Sequence, residues 1–229
     1  MQRFILLPLL TLLLAAGAEA QNILATVPDS IDREKLYLFY IHDDIVNTFD
    51  MEPVHPQYGR YDYAGIVNRF ATEGFTVIAE PRQKGTHPYL FAEQIIAQIR
   101  TLLEAGVPAS HVSIVGAGTG GGIAVLITTK LRDPGLQVVL LATCTDSFIR
   151  FWKQQNELLS GNVLSIYHPS TERASCRDFL EYCLQHGVRK YREIELPESA
   201  DKGFYYRATI DWVVPAILWA SGKHDMVRG

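Results

Sequence analysis

The stretch His111-Val-Ser-Ile-Val-Gly116-Ala-Gly118-Thr-Gly120-Gly121-Gly122 sets a glycine-packed turn between an apolar run and the helix-like Ile123 to Lys130. A strand, a sharp turn and a helix make the nucleophile elbow written G-x-S-x-G, which lifts one side chain onto the edge of a sheet. Gly116 and Gly120 are the flanking glycines here, and the apex between them is Gly118. The chemistry expected of such a turn is acyl transfer. It needs an alkoxide, thiolate or carboxylate at the apex and a neighbouring base to activate it. Gly118 has no side chain, so the question is whether another group takes its place. In such sites the order along the chain is nucleophile, acid, histidine. Two later loops stand in that order, His168-Pro-Ser-Thr-Glu172 and Glu198-Ser-Ala-Asp-Lys202-Gly203-Phe204.

The nearby substitutes are poor. Thr119 follows the apex, where its backbone N–H would be an oxyanion donor and its side chain a helix N-terminal residue. Cys144 reads as a packing or disulfide residue, and Ser170 and Ser199 have no base beside them. Two other chemistries use the same residues. Gly116-x-Gly118-x-x-Gly121 spells a dinucleotide fingerprint, whose glycines would admit a pyrophosphate to the helix N-terminus. It lies after two strand–helix units rather than at the start of the fold, and Asp146 is late for the ribose acid, so nucleotide-type binding is a lesser alternative. His42, His87 and His168, with Asp43, Asp44 and Glu80, are residue types that hold zinc or another divalent ion. No H-x-H or H-x-x-x-H pair occurs among them, so hydrogen-bonding loop histidines are the better reading. No metal or cofactor is expected.

The elements that must position these groups alternate. Strand-like runs are Leu36 to Ile41, Phe75 to Ala79, Val112 to Val115, Leu136 to Leu141, Val163 to Tyr167 and Tyr191 to Leu196. Between them the periodicity predicts helices over Tyr63 to Phe70, Leu90 to Ala105, Ile123 to Lys130, Phe148 to Leu159 and Cys176 to Gln185, with a last helix over Ile210 to Ala220. Trp212 and Trp219 are seven apart in that last helix and share its core-facing stripe. Apolar strands separated by helices imply α/β architecture: a mostly parallel sheet of about six strands with helices on both faces. Ligands bind such sheets beyond the carboxyl ends of the strands. Tyr61, Tyr63 and Tyr205 are candidates to line a pocket there.

The first twenty residues read as a signal peptide: Arg3, an apolar run from Phe4 to Leu14, and Ala18-Glu-Ala20 as the cleavage site. An exported single domain over 21–229 follows, periplasmic or secreted. A net charge of -4 argues against nucleic-acid or anionic-membrane partners. Export permits a disulfide among Cys144, Cys176 and Cys183. Cys176 and Cys183 are separated by about 10 Å of helix, beyond bonding reach. Cys144 with Cys176 is the better pair, both near carboxyl ends of strands; three free buried thiols is the alternative.

From about Leu36 to Gly222 the chain resembles a small bacterial α/β-hydrolase-like family. The matching pieces are Phe39-Tyr-Ile-His42, His55-Pro-Gln-Tyr-Gly-Arg-Tyr-Asp-Tyr63, Glu80-Pro-Arg82 with Lys84-Gly-Thr86, Val115-Gly-Ala-Gly-Thr-Gly120, Leu140-Leu-Ala-Thr-Cys144, Leu164-Ser-Ile-Tyr167 with Ser175-Cys176, and Gly203-Phe-Tyr-Tyr206. The resemblance implies a minimal α/β-hydrolase-like fold. It also implies serine at Gly118, histidine at Lys202 and glycine at Asp43 in members with an intact site. This chain departs at all three, and only Glu172 could still serve as the triad acid. Lysine is a poor base near neutral pH. Asp43 brings negative charge to the loop that normally helps build the oxyanion hole. The expectation is a degenerate triad at Gly118, Glu172 and Lys202, little or no catalysis, and a surviving pocket for a small-molecule ligand, with His42, Asp43, Thr119 and His168 as pocket candidates. The alternative is an esterase-like hydrolase of altered mechanism, its water activated by Glu172, His168 or His42.

Overall fold

The computed structural model describes residues 22–228, apart from 156–157 and 185–186. The expected signal peptide and the helix end expected at Gln185 lie outside the described residues, whereas the helix expected to reach Leu159 is described only to Gln155, and 158–160 are not helical. The strands are β1 (Ile23–Leu24), β2 (Leu36–Ile41), β3 (Val54–His55), β4 (Gly59–Arg60), β5 (Phe75–Ile78), β6 (Val112–Ala117), β7 (Gln137–Leu141), β8 (Gly161–Tyr167) and β9 (Val188–Glu195). The helices are α1 (Tyr63–Thr72), α2 (Pro88–Glu104), α3 (Thr119–Leu131), α4 (Asp146–Gln155), α5 (Arg177–Cys183) and α6 (Ile210–Ala220).

Seven strands form one sheet in the order β1-β5-β2-β6-β7-β8-β9. Every adjacent pair is parallel. The strand beyond the six expected is β1, two residues pairing with the edge of β5, too short for any periodicity. A small antiparallel hairpin, β3 with β4, lies outside the sheet.

Alternate residues of each strand face opposite ways, and this divides the core in two. Tyr37, Phe39 and Ile41 of β2 pack with Ile114 and Leu140 against α2, α3, α4 and α5. Leu38 and Tyr40 pack with Val115, Val139 and Ile166 against α1 and α6. The central strands are buried on both faces, which is why they read as unbroken apolar runs. Trp212 and Trp219 both lie in the second core, as their spacing implied. Cys144 and Cys176 are disulfide-bonded, and Cys183 is free and buried. The bond ties the loop after β7 to the start of α5, beside a bridge between Cys144 and Ala174.

Candidate active site

The elbow is built as a strand–turn–helix at the centre of the sheet. β6 ends at Ala117, and α3 begins at Thr119. Gly118 caps the helix at φ 55° and ψ -120°, a conformation that costs a side-chain-bearing residue strain. The other glycines serve close packing. A Cβ on Gly116 would come within 2.6 Å of the Gly121 Cα, one on Gly120 within 2.1 Å of the Ile41 carbonyl, and one on Gly121 within 1.9 Å of the Thr143 hydroxyl. The glycines that spell a dinucleotide fingerprint are therefore accounted for by the fit of α3 against β2, β6 and the loop after β7.

The space above Gly118 is already taken. A Cβ there would lie 1.7 Å from the Asp43 Oδ2 and 2.6 Å from the Arg173 Nη1. Asp43, from the loop after β2, thus delivers a carboxylate to the position a nucleophile would fill. It is almost completely buried and well partnered. Its Oδ1 accepts from the Asp44 N–H at 2.6 Å and the Thr119 hydroxyl at 3.3 Å. Its Oδ2 accepts from the Tyr205 hydroxyl at 3.2 Å and faces the Arg173 Nη1 at 3.5 Å. The Asp44 N–H, a loop donor of the kind that builds an oxyanion hole, is spent on this carboxylate and on the Thr119 hydroxyl. A side-chain hydrogen bond with Asp43, then burial and the Asp43 charge, push the Asp44 carboxyl up to about 6. Burial and then the Asp43 charge raise Tyr205 well above the usual phenol range, keeping it a neutral donor.

Two cavities meet at this point. The larger, about 980 Å³, is lined by Gly118, Thr119, Ile123, Leu126, Phe148 and Trp152 among others. The smaller, about 450 Å³, is lined by Asp43, Asp44, Tyr58, Lys202, Tyr205 and Tyr206 among others. Glu172 and Arg173 line both. The structure therefore brings together Asp43, Glu172, Lys202 and the elbow, with Thr119 at the mouth of α3.

Two pocket candidates are corrected. His42 is buried and opens onto neither cavity: its Nε2 accepts from the Arg82 N–H at 2.9 Å and its Nδ1 meets the Asp43 carbonyl at 2.6 Å. Burial, and next the Arg82 charge, push it down to about 4. His168 is fully buried, accepting from the Ser170 N–H at 3.1 Å and contacting the Ala200 carbonyl at 3.2 Å. Both imidazoles are satisfied by backbone. Of the three tyrosines, only Tyr205 reaches a cavity. Tyr61 bonds the Tyr40 hydroxyl at 2.5 Å, and Tyr63 packs edge-on to His42. His87 caps α2, and no three His, Cys, Asp or Glu side chains converge as a metal site among the described residues.

Sequence reasoning missed Arg173. The available signal was a cation directly after Glu172, on a loop at the carboxyl edge of the sheet. Its importance depends on Asp43, which no local pattern connects to it.

No protein-family model matches the chain, and no curated protein matches it in sequence. Solved structures match in fold. An esterase/lipase from an uncultured bacterium aligns at 14% identity over 84% of this chain and 76% of that one, with a TM-score of 0.57. Esterase B from Lactobacillus rhamnosis aligns at 13% identity over 86% and 77%, with a TM-score of 0.56. A CIB-like hydrolase from Thermoplasma acidophilum aligns at 16% identity over 86% and 89%, with a TM-score of 0.53. The chain has the α/β-hydrolase-like fold.

Proposed function

We propose that this chain is an exported α/β-hydrolase-like protein that has lost the acyl-transfer reaction and keeps its site as a small-molecule binding pocket. One observation carries the reading: the Asp43 carboxylate fills the place of the nucleophile above Gly118. An acyl carbon cannot approach an apex that holds a buried, hydrogen-bonded carboxylate. That carboxylate also occupies a donor which would otherwise stabilise an oxyanion. Among the described residues, no imidazole lines either cavity to act as base, apart from His55 in the outer hairpin. Export rests on the leader-like first twenty residues, and the Cys144–Cys176 bond suits an oxidising compartment.

The second reading is an esterase-like hydrolase of altered mechanism, favoured by the hydrolases and esterases among its structural neighbours. With His42 and His168 sequestered, Glu172 is the remaining group proposed for water activation; it is exposed and lines both cavities. Hydrolysis of short-chain nitrophenyl esters separates the two. The purified chain is expected to match its heat-denatured control. Turnover well above that control, lost in Glu172→Gln, would establish the second reading instead.

A further inference from the structure

Arg173 is a guanidinium with donors to spare. Its Nη1 faces Asp43 and also donates to the Ala142 carbonyl at 3.3 Å. Its Nε and Nη2 make no hydrogen bond among the described residues. The side chain is a quarter exposed, yet its backbone is fixed: the Thr171 hydroxyl donates to the Arg173 carbonyl, and the adjoining Ala174 is bridged to disulfide-bonded Cys144. A held guanidinium fork with unspent donors suits a planar oxyanion, which it can grip bidentately.

Part of the cavity beyond it is apolar. The larger cavity continues from Arg173 along Ile123, Leu126, Phe148 and Trp152, and its size is that of a small-molecule site. The formal charges lining it balance, Asp146 and Glu172 against Arg150 and Arg173. Asp43, outside this lining, faces the Nη1 of Arg173, which leaves the Nε and Nη2 donors for an anion in the cavity. Gly118 and Thr119 open on this cavity, with the Asp43 carboxylate lying over Gly118 and accepting from the Thr119 hydroxyl.

We propose that the larger cavity binds an amphipathic monocarboxylic acid, its carboxylate on the Arg173 fork at the head of α3 and its aliphatic or aryl tail along Ile123, Leu126, Phe148 and Trp152. The proposal rests on the non-catalytic reading, since a site without turnover can retain a free acid rather than release it as a product. The smaller cavity, which carries Asp43, Asp44 and Lys202, remains open to solvent beside it.

Trp152 lines the cavity, whereas Trp212 and Trp219 lie in the opposite core, so intrinsic fluorescence reports occupancy. The test titrates the full mature chain with hexanoate, octanoate and decanoate, and with 1-octanol and octanamide as uncharged controls. Saturable fluorescence change is expected for the acids and not for the controls, strengthening with chain length. Arg173→Gln should weaken octanoate by about tenfold to a hundredfold, the usual worth of a charge-assisted pair. Leu126→Trp, at a half-exposed position that fills the cavity wall, should abolish binding while leaving the fold intact by circular dichroism. It keeps the test decisive if Arg173→Gln does not fold. Equal binding of alcohol and acid, binding unaffected by both variants, or no binding at all would overturn the proposal. The ester assay fails or holds independently: absent hydrolysis with absent acid binding sinks only the acid, whereas hydrolysis sinks the reading beneath it.

Discussion

At the scale of residues, the site turns on a complementary pair. Gly118 leaves a void at the elbow, and Asp43 fills it with a carboxylate that Arg173, Tyr205, Thr119 and the Asp44 N–H satisfy. A serine at position 118 would meet that carboxylate and would also adopt a strained backbone. Gly118→Ser should therefore cost about 2–4 kcal/mol, measured by urea denaturation. Adding Asp43→Gly should recover part of that loss, with a coupling of about 1–3 kcal/mol between the two sites. A Gly118→Ser protein as stable as the parent would show that Asp43 is free to swing away.

His42 supplies a second residue-scale prediction. Its burial and the Arg82 charge hold it at about 4, below its ordinary 6.5. The unfolded chain therefore takes up a proton that the folded chain refuses as pH falls from 6.5 toward 4, and stability is lost across that window. His42→Gln loses its imidazole contacts but escapes this penalty. The stability gap between the two proteins should narrow by up to about 3 kcal/mol between pH 6.5 and 4. Asp44, raised to about 6, works in the opposite sense but is common to both proteins. A gap that does not change with pH would contradict the assignment.

At the scale of elements, the disulfide is what holds the Arg173 loop. Cys144 and Cys176 lie 32 residues apart in sequence, and closing a loop of that length is worth about 3–4 kcal/mol in the unfolded chain. Cys144→Ala with Cys176→Ala should lose about that much in guanidinium melts, and the parent should lose it on reduction. Cys183, buried and pushed up to about 11, should resist thiol reagents until the chain unfolds. Rapid labelling of one thiol in the native, oxidised protein would contradict its burial.

These elements were largely legible beforehand. The central strands and the long helices announced themselves by unbroken apolar runs and by a 3.6-residue period, and α6 begins and ends where the pattern placed it. The two-residue strand β1 had no pattern to show. Element ends shifted by a few residues: β6 continues through Gly116 and Ala117 into the elbow, and β9 begins earlier, at Val188. The site was legible in part. Gly118, Glu172 and Lys202 follow from chain order; Gly118 and Glu172 line the larger cavity, Glu172 and Lys202 the smaller. His42 and His168 were placed correctly at the carboxyl edge of the sheet but not inward of it, because burial beneath a loop depends on contacts distant in sequence. Arg173 was missed for the same reason.

At the scale of the whole molecule, the proposed function rests on an α/β-hydrolase-like fold whose elbow apex is faced by the Asp43 carboxylate. Seven parallel strands carry the site loops to one edge, and an open, partly apolar cavity lies beside the apex. Such a molecule should bind without turning over. The most direct measurement is intact mass after exposure of the native protein to a fluorophosphonate, which labels any activated nucleophile of this fold. The account predicts an unchanged mass, identical to that of the treated, denatured control. A stoichiometric adduct formed only by the native protein would contradict it and would mark the residue that has taken the place of Gly118.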